Sequence, residues 1–230
     1  MIEFVPGQIW IQEQPLRFLG VEIDTRMTVI RLKGQILFVH SPLRLTEAVK
    51  KELDSLGVVR FVVSPNPLHH LFIGDYFDGY PKAKIYASLG LAEKRKDLNF
   101  NYTLKDSPDP EWQEYLDQII FLGNPSMQEV VFFHPLSRTL IVADLLMYFD
   151  DRSPLMTKFW AKRLGIYGKP SASLDMDLSL AQKHQARQSV ERILKWDFDK
   201  IILAHGRLIT DNATQQFKEA FSWLLTQSIK

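Results

Sequence analysis

The chain has 230 residues, 46% of them hydrophobic, with 15 Phe and 5 Trp, which is enough apolar surface for one well-filled core. Its net charge is +1, so no strong field favours nucleic acid or an anionic membrane, and we predict neither as a partner. The absence of Cys excludes disulfides, thiol nucleophiles and thiolate metal sites. The N-terminus lacks a signal-peptide pattern, which predicts a cytoplasmic protein.

The first half of the chain alternates predicted strands with a helix. Residues 8–12, 27–33 and 35–39 have β-forming patterns, and Gly34 between the last two predicts a hairpin. Apolar residues at helical spacing from Leu45 to Leu56 predict a helix that ends at Gly57. The continuous apolar run that follows, residues 58–63, is typical of a strand buried on both faces after a crossover helix.

The second half predicts a β-meander and then helices. Strands are expected at residues 118–122, 129–133 and 139–143, helices near 155–164 and 179–196, and loop at 165–177. A buried strand at 200–204 precedes a last helix, which Asp211 is expected to cap. We therefore predict a single domain over residues 1–230, an α/β fold of two mixed β layers with outer helices.

Candidate ligands follow directly after buried strands. His69 and His70 come after residues 58–63, Asp144 after 139–143, and His205 after 200–204. Strand ends of layered α/β folds converge on one edge, where ligands bind. Imidazole and carboxylate without thiolate suit zinc, iron or manganese. An isolated polar residue at a strand end is more often simply solvent-facing, so the shared position carries the hypothesis.

Five segments in order, LFVHSP, VVSPNPLHH, YPKAKIYAS, LIVADLL and IILAHG, resemble the motif succession of the metallo-β-lactamase superfamily. The resemblance covers nearly the whole chain and implies a four-layer αββα sandwich. It matches Ala143-Asp144 to the superfamily's bridging Asp and Ala204-His205-Gly206 to its last His. The first signature departs, since Pro65 and Pro67 stand where two leading His belong.

The resemblance implies that the first of two metal sites has lost all its protein ligands. The second survives as His69, His70, Asp144 and His205, with His69 as the least secure member. We predict at most one divalent transition metal, and Asp144 as the group that also orients the attacking water. His40 is expected to orient a ligand by hydrogen bonding, His134 to be an exposed turn residue, and His184 to have no role.

The sequence is compatible with two functions. The first is a metal-dependent hydrolase that acts on a small ester, thioester, lactone or phosphodiester. The second is a non-catalytic protein that binds no metal and uses the same cleft for a ligand or partner. The aromatic residues Tyr148, Phe149, Phe159 and Trp160 predict that residues 145–168 cover that cleft.

Overall fold

The computed structural model describes residues 1–18, 20–125, 127–172 and 179–226. Contacts divide the chain into two compact units. Unit 1 comprises residues 1–14 and 26–104, and unit 2 comprises residues 15–25 and 105–230. The single domain predicted over residues 1–230 stays a prediction.

Unit 1 is built on a sheet that has seven strands within the described ranges. These are β1 (Ile2–Val5), β2 (Ile9–Phe18), β3 (Val21–Arg31), β4 (Ile36–His40), β5 (Val58–Val63), β6 (Lys84–Ala87) and β7 (Tyr102–Thr103). Their order across the sheet is their order along the chain. The pairs β1/β2 and β3/β4 are antiparallel, whereas β4 to β7 run parallel. The far ends of β2 and β3 belong to unit 2.

The turn between β3 and β4 confirms the predicted hairpin. A short 3-10 helix, Lys33–Gln35, joins the strands, and Gly34 has a φ of 67°. That left-handed backbone is open to glycine at little cost, which is why Gly34 marks the turn. The strand that follows the hairpin, β4, ends at His40.

The helix α1 (Glu47–Leu56) forms the predicted crossover between the parallel strands β4 and β5. Thr46 caps its start by accepting a hydrogen bond from the amide of Val49, and Val49 and Leu53 are buried. Two shorter helices complete unit 1, α2 (Gly74–Gly79) and α3 (Leu91–Lys94). The unit 1 core consists of buried apolar side chains from the sheet and these helices, among them Trp10, Met27, Val39, Leu53, Val62 and Tyr76.

Unit 2 contains the predicted meander. Its strands are β8 (Asp117–Ile120), β9 (Val130–His134), β10 (Thr139–Ile141), β11 (Leu146–Met147), β12 (Ser171–Ala172) and β13 (Lys200–Ile202). Within the described ranges, β13, β10, β9 and β8 form one sheet in that order, and β11 pairs with β12. The meander β8–β9–β10 is antiparallel, and β13 adds to it in parallel beside β10.

The helices of unit 2 are α4 (Leu155–Arg163), α5 (Leu180–Ile193), α6 (Ala213–Ala220) and α7 (Ser222–Leu225). Ser179 and Gln182 form a reciprocal capping box at the start of α5. The expected cap at Asp211 is wrong, because Asn212 holds the cap position with a φ of 48° and the backbone turns there instead. Part of the predicted loop at 165–177, residues 173–177, lies outside the described residues.

The unit 2 core joins the meander to α5 and α6. Its buried side chains include Phe121, Val131, Phe133, Leu140, Val190, Ile201, Phe217 and Phe221. Because the sheet residues beside this core are apolar, β10 and β13 are fixed in register. The polar residues that follow both strands are therefore placed together.

Candidate metal centre

Asp144 and His205 are brought together by the register of β10 and β13. Thr139 pairs with Lys200, an offset of 61 residues, and the same offset separates Asp144 from His205. The parallel pairing continues past the strands, because the amide of Ala204 donates to the carbonyl of Ala143 at 3.4 Å. Two polar residues thus leave neighbouring buried strands side by side.

The two side chains are in direct contact and nearly inaccessible to solvent. Nε2 of His205 lies 3.0 Å from Oδ1 of Asp144, and their side chains are 5% and 6% exposed. Nδ1 of His205 lies 2.6 Å from the backbone carbonyl oxygen of Asp24. A carbonyl only accepts, so Nδ1 must carry a hydrogen. In neutral His205 the lone pair of Nε2 then faces a carboxylate oxygen.

This arrangement fits a cation. Two acceptor atoms at 3.0 Å need a proton or a metal ion as a shared partner. Two ligands about 2.0–2.1 Å from a tetrahedral zinc lie roughly 3.3 Å apart, so the pair is already near the spacing of two ligands. A hydrogen bond from the second nitrogen to a carbonyl is also how metal-binding imidazoles are commonly oriented.

Glu129 holds the turn that carries Asp144. Its side chain is fully buried, and its two oxygens accept hydrogen bonds from the amides of Ala143, Asp144 and Leu145 at 2.7, 2.7 and 3.0 Å. A carboxylate that accepts three backbone N–H groups fixes their backbone strongly. Glu129 was missed by sequence reasoning, since an acidic residue just before an apolar strand looks like a solvent-exposed strand start.

Gly206 allows the chain to turn directly after His205. Its φ is +84°, and a Cβ at this position would overlap the carbonyl oxygen of Tyr148. The amide of Arg207 donates to that same carbonyl at 2.8 Å. Any larger residue would therefore displace the turn that orients His205. This explains why a glycine follows His205 in the Ala-His-Gly segment.

His69 belongs to unit 1 and has an oriented ring as well. Its Nδ1 lies 2.5 Å from the hydroxyl oxygen of Ser41, the residue after β4. Its backbone is fixed by Asn66, whose Oδ1 accepts from the amide of His69 at 3.1 Å, and by the Ser64 hydroxyl, which donates to the carbonyl of His69 at 2.8 Å. Nδ1 of His69 is thus engaged by a hydroxyl, which donates or accepts according to the tautomer, whereas Nδ1 of His205 donates to a carbonyl.

His70 points to a different partner. Nη1 of Arg95 lies 3.0 Å from its Nδ1 and also donates to its carbonyl oxygen at 3.3 Å. Burial, together with the positive charges of Lys94 and Arg95, lowers the pKa of His70 from 6.5 to about 4. These cationic neighbours are unfavourable for a metal cation. The ligand role predicted for His70 stays a prediction.

The other three histidines of the chain are His40, His134 and His184. His40 is buried at the end of β4, and burial with the positive charge of His69 lowers its pKa from 6.5 to about 3. Its expected orienting role stays a prediction. The expectation that His134 is an exposed turn residue is wrong, because its side chain is buried and accepts from the amide of Ser137. His184 is exposed on α5.

Solved structures with the same fold are metallo-β-lactamases. One from Pontibacter korlensis matches with a TM-score of 0.67 and 13% identity over 97% of both chains. DIM-1 matches with a TM-score of 0.68 and 16% identity over 98% of this chain and 97% of its own. FIM-1 from Pseudomonas aeruginosa, in its mono-zinc form, matches with a TM-score of 0.66 and 11% identity over 97% and 95%.

At these identities the likeness shows the fold, which confirms both the predicted resemblance and the α/β fold class. No curated protein sequence matches the chain. The profile of a family described as "Domain of unknown function (DUF4336)" matches residues 6–177. The chain therefore belongs to this family of unknown function, and its fold is that of the metallo-β-lactamases.

Proposed function

We propose that this protein is a metal-dependent hydrolase with one metal site, whose ligands are His69, Asp144 and His205. The observation that carries the proposal is the Asp144–His205 pair, in which the Asp24 carbonyl turns the Nε2 lone pair of His205 toward a carboxylate oxygen. A buried pair of this kind is satisfied by a cation. Three protein ligands plus water are the usual arrangement of a catalytic zinc.

His69 is proposed as the third ligand because its ring is oriented like that of His205. Ser41 engages Nδ1 of His69, and when the hydroxyl oxygen accepts from that nitrogen the lone pair lies on Nε2, as it does in neutral His205. Such hydrogen bonds to the second nitrogen are typical of metal-binding histidines. Two imidazoles and one carboxylate suit zinc, iron or manganese.

The proposed chemistry is hydrolysis of an ester, thioester, lactone or phosphodiester. A bound divalent ion supplies Lewis acidity to a carbonyl or phosphoryl oxygen and activates water. Asp144 has a second carboxylate oxygen, which is able to accept a hydrogen bond from the attacking water and orient it. Glu129 keeps Asp144 in place through its bonds to the turn. Similar structures are described as metallo-β-lactamases, one of them in a mono-zinc form, which supports this class.

A non-catalytic ligand-binding protein is the second candidate. It is favoured by Pro65 and Pro67, which occupy the positions of the two leading histidines of the resembling superfamily and cannot bind a metal. Under this candidate the fold is kept without turnover. The two candidates differ in metal content and in hydrolytic activity, so both are measured.

The first experiment measures metal content after chelator treatment and equilibration with zinc, manganese or iron(II). We expect one equivalent in the wild type, and loss of metal affinity by at least about tenfold in His69→Ala and His205→Ala. His70→Ala should stay within about twofold, because its ring faces Arg95. His184→Ala, at an exposed site on α5, is the matched control. Two equivalents, or undiminished binding in both ligand variants, would contradict the assignment.

The second experiment separates the two candidates. The metal-loaded protein is assayed with 4-nitrophenyl acetate, a thioester, a lactone and bis(4-nitrophenyl) phosphate. Turnover that falls at least about a hundredfold in Asp144→Asn supports the hydrolase. A protein that binds no metal and turns over none of these substrates selects the non-catalytic candidate, and one bound metal without turnover contradicts the proposed hydrolysis.

A further inference from the structure

The helix α4 faces the protein with its small residues and solvent with its large ones. Thr157 and Ala161 are 3% and 2% exposed, and the Thr157 hydroxyl donates to the carbonyl of Glu22. The α4 surface consists of five apolar side chains that are 43–80% exposed, namely Leu155, Met156, Phe159, Trp160 and Leu164. A helix that served only the core would be oriented the other way round.

These five side chains form one continuous stripe. Leu155 and Phe159, Met156 and Trp160, and Trp160 and Leu164 are each four residues apart, and such residues are neighbours on a helix. The rings of Phe159 and Trp160 meet edge to face with centroids 5.5 Å apart. Single exposed apolar residues need no explanation, whereas a contiguous patch marks an interaction surface.

Positive charge surrounds the stripe. Arg152, Lys158, Lys162 and Arg163 lie in or beside α4, and residues 152–164 contain no Asp or Glu. The two acids just before this segment are engaged, Asp150 with Arg207 at 3.7 Å and Asp151 by the Tyr167 hydroxyl at 2.5 Å. The net charge of +1 predicts no anionic partner for the chain as a whole, whereas residues 152–164 carry four positive side chains and no negative one.

We propose that the α4 surface docks onto an anionic lipid bilayer, with the stripe inserted at the headgroup level and the Lys and Arg side chains on lipid phosphates. Trp, Phe and Leu on one face with Lys and Arg beside them are the composition of helices that lie in a membrane interface. No described helix is long and apolar enough to cross a membrane. A second copy is a poorer occupant, because a two-fold contact sets the same cations against each other.

The test is sedimentation of the full chain with vesicles of phosphatidylglycerol or of phosphatidylcholine, at low and at 0.5 M salt. We expect binding to phosphatidylglycerol at low salt that weakens at high salt. Phe159→Ser/Trp160→Ser and Lys162→Glu/Arg163→Glu should each reduce the bound fraction by roughly tenfold or more. All four residues are exposed, so folding, checked by thermal unfolding, should be kept.

The matched control is Leu136→Ser/Lys218→Glu, which changes an exposed leucine and an exposed lysine elsewhere in unit 2. It should bind vesicles like the wild type. Wild-type protein that stays in the supernatant at low salt overturns the proposal. A dimer by analytical ultracentrifugation that Phe159→Ser/Trp160→Ser converts to monomer, without vesicle binding, assigns the surface to a second copy and also overturns it. The predicted cover formed by residues 145–168 stays a separate prediction.

Discussion

The loop after β5 and the turn after β10 both follow a buried strand and both carry a proposed ligand, yet they are held in different ways. In the first, Asn66 lies inside the loop, and its Oδ1 accepts from the amides of Leu68 and His69 at 2.8 and 3.1 Å. In the second, Glu129 comes from before the neighbouring strand β9 and accepts from three amides. A local neutral acceptor shapes one site, and a distant buried charge shapes the other.

This difference has an energetic consequence. Hydrogen bonds to a charged group contribute more than bonds to a neutral amide, and a buried N–H that loses its partner costs on the order of 1–3 kcal/mol. The conformation of the turn after β10 therefore depends more strongly on Glu129 than the conformation of the loop after β5 depends on Asn66. The prolines Pro65 and Pro67 restrict that loop further through their fixed φ angles.

The largest effect is expected at Glu129. Glu129→Ala leaves three buried amides without their acceptor and should lower the free energy of unfolding by about 3 kcal/mol or more. Glu129→Gln should lose less, since its amide oxygen still accepts while its nitrogen cannot. Urea denaturation measures both, with Glu114→Ala at an exposed site as the control. A Glu129→Ala protein as stable as the Glu114→Ala protein would show that Glu129 does not stabilise the turn after β10.

A smaller effect is expected at Asn66. Asn66→Ala removes the acceptor of two amides and should lower the free energy of unfolding by about 2 kcal/mol, less than Glu129→Ala. Asn101→Ala, at an exposed position of unit 1, is the control in the same urea experiment. If Asn66→Ala cost more than Glu129→Ala, the local acceptor rather than the distant charge would be the stronger constraint.

The effect that is smallest per pH unit concerns a third strand end, at His134. Its Nδ1 accepts from the amide of Ser137 at 3.3 Å, and burial lowers the pKa of His134 from 6.5 to about 4. Between these two values the unfolded chain binds a proton that the folded chain does not. Stability from this group is therefore complete above pH 6.5 and declines as the pH falls toward 4.

The variant His134→Asn keeps an acceptor and removes the titration. We expect the dependence of unfolding free energy on pH between about 6.5 and 4 to become shallower by on the order of 1 kcal/mol per pH unit. Urea denaturation across this range measures it, and His184→Asn, at an exposed site, should leave the slope unchanged. Equal slopes in wild type and His134→Asn would show that the pKa of His134 does not differ between the folded and the unfolded chain.

The sequence predicted elements whose signals are local. The hairpin at Gly34, the helix α1 between Thr46 and Gly57, and strand β5 follow from turn chemistry, capping and apolar runs. The cap at Asp211 was wrong by one residue, since Asn212 takes the left-handed conformation there. Side-chain burial before a turn was also misjudged, as at His134, because exposure depends on what packs against the turn.

By itself, the sequence determined the family resemblance and the position of Asp144 and His205 directly after buried strands, because apolar runs and short motifs are properties of neighbouring residues. Only the tertiary structure decided which atoms those residues face. The carbonyl of Asp24 reaches His205 across 181 positions, and Glu129 reaches Asp144 across 15. Likewise, His69 and His70 are adjacent in sequence but bond to Ser41 and Arg95, because the backbone conformation of the loop sets the direction of each ring.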